Sequence, residues 1–81
     1  MQTFTTFAEA AAARGDRDDL MIAGAYARVH PNENPYSQPV YFLAPADATD
    51  ADMRRLGFEA REGRPMDSFE RMLLTEAELS Q

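Results

Sequence analysis

Leu20-Met21-Ile22-Ala23-Gly24-Ala25-Tyr26-Ala27 is the longest mainly apolar run of the chain, and its reading decides the fold. Ile22, Tyr26 and the following Val29 suit a pleated, half-buried surface, and Gly24 disfavours a helix interior. A strand over 20–29 is the expectation. The alternative is a helix that Asp18 or Asp19 caps and that ends before Pro31. A second run, Val40-Tyr41-Phe42-Leu43, lies between Pro39 and Pro45 and reads as a strand. Apolar at every position, it suits a central strand or one covered on both faces.

Helices flank these runs. Thr6-Phe7-Ala8-Glu9 has the spacing of a capping box, with the Thr6 hydroxyl over the Glu9 amide and the Glu9 side chain reaching back. Ala10 to Ala13 is a strong helix-forming run, and Gly15 stands where a helix ends in a left-handed residue. Phe7, Ala10 and Ala11 form a narrow apolar face, with Phe4 beside it. Ala46 to Gly57 reads as a second helix. Asp47 or Thr49 caps it, Asp50 and Asp52 occupy its first turn, Arg54 and Arg55 its last, and Gly57 ends it. Phe58 is then placed for a contact across that end.

The rest of the chain leaves alternatives open. His30 to Pro39 holds three prolines and no glycine, which predicts a stiff, extended loop. Phe58-Glu59-Ala60-Arg61 alternates as a third strand would, and Gly63-Arg64-Pro65 breaks it. Beyond that, Asp67-Ser68-Phe69-Glu70 has capping-box spacing for a helix with Phe69, Met72, Leu73 and Ala77 on one face. The other reading makes Phe69 to Leu74 a strand paired with 58–61, followed by a short helix capped at Thr75. The order predicts an α+β fold. It is a small antiparallel sheet of two to four strands with two or three short helices on one face, a single pair of layers.

Eighty-one residues suit one domain. Fourteen acidic and eight basic residues give a formal charge of −6, and there is no cysteine. That excludes a disulfide framework, a thiol enzyme, a cysteine-ligated zinc site and a polybasic nucleic-acid binder. The first six residues lack the basic and apolar regions of a secretory leader. No apolar run approaches the roughly 20 residues of a membrane span. A soluble, cytoplasmic protein is expected.

Catalytic patterns are sparse. A Ser-His or metal site would have to use His30, the single histidine, with Ser37, Ser68 or Ser80 as nucleophile. His30 and Glu33 have metal-ligand spacing, but Pro31 between them forbids the regular helix that would align them. Asp18 with Asp19, Asp50 with Asp52 and Glu76 with Glu78 sit in hydrophilic or helix-terminal settings, where capping and solvation account for them. Asp16 to Asp19 is too short for a calcium loop, and the four glycines are dispersed. The reading is a non-enzymatic protein with no cofactor and no metal.

The acidic surplus points to a protein partner with a basic surface instead of to nucleic acid or a membrane. Asp16, Asp18 and Asp19 form one acidic cluster; Asp47, Asp50 and Asp52 form another at a helix start. The 30–39 loop adds Glu33 and the aromatic anchor Tyr36, since a stiff loop loses little entropy on binding. A structural or regulatory homo-oligomer, joined through the 20–29 and 40–43 runs, is the alternative; an enzyme centred on His30 is the third. Monomer and homodimer are both open. In size, acidity, α+β order and want of a catalytic constellation, the chain resembles the small cysteine-free inhibitors that phages encode against host defences, anti-CRISPR proteins among them. No motif carries the resemblance, so no residue role follows from it. It implies a non-enzymatic inhibitor that binds a host nucleoprotein effector and blocks access of nucleic acid.

Overall fold

The structure, a computed structural model, describes residues 1–26 and 39–72. Helix α1 (Phe7–Arg14) is followed by strands β1 (Leu20–Tyr26) and β2 (Val40–Pro45), helix α2 (Asp50–Ala60) and strand β3 (Ser68–Met72). The three strands form one antiparallel sheet in the order β2-β1-β3. The fold is α+β, as expected from the sequence. The 20–29 run is a strand through Tyr26; its remaining residues lie outside the described ones.

β1 is the central strand, and β2 is an edge strand covered on both faces, the second of the two settings its apolar run suits. Two expectations about the elements are corrected. The segment 58–61 is the end of α2, not a strand. Ser68–Met72 is a strand, but it pairs with β1, with Gly24 opposite Glu70 and Ile22 opposite Met72. α2 therefore carries the chain from one edge of the sheet to the other, past the central strand, in a split β-α-β arrangement. The terminal helix expected beyond residue 72 lies outside the described residues.

The helices do not share a face. Side chains alternate along β1, so Met21, Ala23 and Ala25 point one way and Ile22 the other. The first group packs with Phe42, Ala44, Ala48, Met53 and Ala60 under α2. Ile22 packs with Ala10 and Ala11 of α1, and with Phe4, Phe7, Tyr41, Leu43 and Met72. The sheet is the middle of three layers, where a single pair was expected. Burial on both sides explains why β1 lacks polar alternation, and its alanines let α2 come close, a Cβ on Gly57 lying 3.6 Å from that of Ala25. Phe7 meets Tyr41 edge-on, with ring centroids 6.0 Å apart.

The helix ends follow capping chemistry. Thr6 accepts the Glu9 N–H at 3.2 Å, while the Glu9 carboxylate reaches Thr5 N–H instead of Thr6. Gly15 has φ 58° and its N–H donates to Ala11 C=O. Arg14 Nε donates to Leu20 C=O at 2.8 Å, fastening the end of α1 to the start of β1. Thr49, not Asp47, caps α2. Gly57 does not end α2; it is buried within it, and a Cβ there would lie 2.5 Å from Met66 Sδ. The Met66 side chain fills the space that the missing Cβ leaves. α2 ends four residues later in a Schellman motif: Gly63 N–H donates to Phe58 C=O at 2.9 Å and Glu62 N–H to Glu59 C=O at 3.0 Å. Glu62 holds the left-handed position, with φ 58°. Phe58 thus serves that end through its carbonyl, with its ring 47% exposed. Arg54 and Arg55 fall mid-helix, and Arg54 lies over the Phe69 ring at 5.6 Å.

Candidate protein-binding surface

The connector 15–19 and the turn 45–48 are far apart in sequence but adjacent in the fold. Leu20 lies opposite Pro45 in the β1–β2 register, and Ala46 N–H donates to Asp19 C=O at 2.9 Å. The turn closes with Ala48 N–H on Pro45 C=O at 3.0 Å and leads into the Thr49 cap of α2. Both acidic clusters read from the sequence therefore stand at one end of the sheet. The spacing of the aspartates gave no hint of this; it follows from the antiparallel register.

The six aspartates of this end are not equivalent. Arg17 grips Asp19 through two donors, at 2.8 and 3.2 Å. That guanidinium holds the Asp19 carboxyl below the usual range, and Arg17 itself is raised by the same pairing. Asp52 belongs to the capping box: its carboxylate accepts Thr49 N–H at 3.2 Å, with Arg55 more distant at 3.7 Å. The Thr49 N–H, and after it the Thr49 hydroxyl, keep this carboxyl low. Asp50 accepts from Arg71 of β3 at 2.9 Å. Arg71 carried no signal in the sequence, because nothing there placed β3 beside the start of α2. Asp16, Asp18 and Asp47 are exposed and form no hydrogen bond or ion pair with the described residues. They are the carboxylates available to a partner. His30, Glu33 and Tyr36 lie outside the described residues.

At the other end of the β1–β3 pair, Tyr26, Ser68, Phe69 and Glu70 line an open groove of about 390 Å³. Tyr26 donates its hydroxyl to Glu70 at 3.2 Å, and partial burial, then that bond, push the Tyr26 phenol up. Among the described residues no three His, Asp or Glu side chains are grouped to hold a metal ion, and no polar or charged residue is buried. No described helix is long and apolar enough to cross a membrane. Of the runs 20–29 and 40–43, which the homo-oligomer alternative would use, Met21, Ile22, Ala23, Ala25 and Phe42 are buried within the chain itself, and 27–29 lie outside the described residues. No family model matches this chain, and no curated protein or solved structure matches it.

Proposed function

We propose that this protein is a non-enzymatic binding module, an inhibitor whose acidic sheet end occupies the nucleic-acid-binding surface of a basic partner protein. The observation that carries the reading is the Ala46–Asp19 backbone bond, which sets the free carboxylates of Asp16, Asp18 and Asp47 on one rigid end of the fold. Carboxylates on such a scaffold substitute for phosphates in a cationic groove and speed the encounter. In its specific form the proposal is an anti-CRISPR-like inhibitor acting in the cytoplasm on a nucleoprotein effector.

The test is displacement of labelled nucleic acid from a panel of purified basic nucleic-acid-binding proteins. The protein is expected to displace it from at least one member, with affinity falling at least about tenfold between about 50 and 200 mM salt. The triple variant D16N/D18N/D47N is expected to bind at least about tenfold more weakly. Failure to displace from any member, salt-independent binding, or an unaffected triple variant overturns the proposal.

A further inference from the structure

The two edges of the sheet differ. On the β2 edge Tyr41 faces outward and exchanges both backbone bonds with Phe4, at 2.8 and 3.0 Å. Pro45 has no N–H to offer, and neither has Pro39 just before the strand. Strand alternation, carried through Gly24 opposite Tyr41 and Gly24 opposite Glu70, turns the backbone groups of Glu70 toward β1 and those of Phe69 and Arg71 away from it. Among the described residues no strand pairs with this outer edge, and no proline interrupts it. Such an edge is a template for another strand.

We propose that this edge takes an extended acidic segment of a partner protein, one with carboxylates at alternate positions. The side chains on the two faces of the edge select it. Three contacts show that α2 runs beside β3 in the opposite direction: Asp50 meets Arg71, Arg54 lies over Phe69, and Arg61 donates to the C=O of Pro65 just before the strand. The guanidiniums of Arg71, Arg54 and Arg61 therefore form a row along the α2 side of the edge. Among the described residues Asp50 is the one carboxylate that pairs with this row, through a single nitrogen of Arg71. Arg54 commits none of its N–H donors, so the row has donors to spare. On the other face stand Ser68 and Glu70, with the Tyr26 hydroxyl on the Glu70 carboxylate. An added strand alternates in step with β3. Its side chains on the α2 face meet Arg54 and Arg71 and suit carboxylates; those on the other face meet Glu70 and suit hydroxyls or bases. A second copy of β3 does not fit this pattern. Antiparallel pairing within one sheet keeps its Phe69 and Arg71 on the arginine side, where Ser68–Met72 carries no carboxylate. For the acidic segment, main-chain bonds supply affinity and the alternate carboxylates supply specificity. Asp16, Asp18 and Asp47 take no part in this contact, so it stands or falls separately from the binding role above.

The test is binding of a labelled peptide of alternating glutamate and threonine to the full chain, read by fluorescence anisotropy at about 50 mM salt. Its dissociation constant is expected below about 1 mM. A peptide of the same composition with its glutamates contiguous is expected to bind at least about threefold more weakly, and one of alternating lysine and threonine at least about tenfold more weakly. R54E is expected to weaken binding at least about tenfold and the milder R54Q at least about threefold, with circular dichroism establishing that each is folded. Amide shifts in NMR are expected to be largest at Phe69 and Arg71. No binding up to about 1 mM, equal binding of the contiguous or the lysine peptide, or folded Arg54 variants that bind like wild type overturn the proposal. So do shifts that avoid β3, and tighter binding of single-stranded DNA than of the acidic peptide. A dimer in sedimentation equilibrium that the peptide leaves intact also overturns it, since a second copy then holds the edge.

Discussion

The Thr49 hydroxyl accepts the backbone N–H of Asp52 at 3.2 Å, and the Asp52 carboxylate accepts the backbone N–H of Thr49 at the same distance. This reciprocal pair starts the helix that crosses the sheet. Thr49→Ala leaves a first-turn N–H without its acceptor and is expected to lower stability by about 1 kcal/mol, while Thr49→Ser stays near wild type. Urea unfolding at neutral pH measures both.

Asp52 also gives the fold an acid limb. Its carboxyl is held below its ordinary value of 3.8. The folded state therefore favours the ionised form, and that stabilisation is present above 3.8 and lost as pH falls through the folded value. Asp52→Asn lacks it. The stabilities of wild type and D52N are expected to converge in unfolding curves taken from about pH 7 down to about pH 2. A constant gap across that range counts against the assignment.

Glu62 holds a left-handed backbone position, φ 58°, which costs a side-chain-bearing residue on the order of 1 kcal/mol and glycine little. Glu62→Gly is expected to raise stability by up to about 1 kcal/mol. Gly63→Ala, at φ 81°, is expected to lower it by about the same amount. Thermal unfolding of the two variants checks the opposite signs.

Gly57 and Met66 are coupled. Alanine at 57 gains roughly 1 kcal/mol of helix propensity. It also drives the Met66 thioether from its seat, because the new Cβ lies 2.5 Å from Sδ and 2.8 Å from Cε. The single variant is expected to change stability little. In a Met66→Ala background the clash is gone, and Gly57→Ala is expected to stabilise by about 1 kcal/mol. A double-mutant cycle with no coupling energy argues against this contact.

Tyr26 sets an alkaline limb. Partial burial and its bond to Glu70 raise the phenol above its ordinary 10.0. The folded state keeps the proton longer than the unfolded chain, so this contribution is full below pH 10.0 and disappears as pH rises through the folded value. Absorbance titration at 295 nm is expected to lose a component that titrates above 10.0 in Tyr26→Phe.

Much of the fold is legible in local chemistry. The Thr6 cap, the Gly15 stop and the proline-bounded β2 run depend only on neighbours, and each stands where the sequence puts it. Gly57 misleads because a glycine that ends a helix and one that admits a neighbouring side chain look alike in sequence; Met66, which decides between them, arrives nine positions later. The pairing of β3 with β1 depends on contacts such as Tyr26 to Glu70, 44 positions apart, which no local pattern encodes. At the acidic end, the aspartates were visible but their partners were not: Arg17 is adjacent, whereas Arg71 comes to Asp50 only through the sheet.

The split β2-α2-β3 arrangement also orders assembly. α1, the β1–β2 pair and the Phe4–Tyr41 bridge need only residues up to 45. β3 must close a much longer loop to reach β1, a step whose entropy cost comes before its contacts form. On a ribosome the first two strands can therefore join while Met21, Ala23, Ala25 and Phe42 still face water on the side α2 will cover. During that interval the nascent chain presents an apolar sheet face and an open flank of its central strand together, the condition under which chains stick to one another.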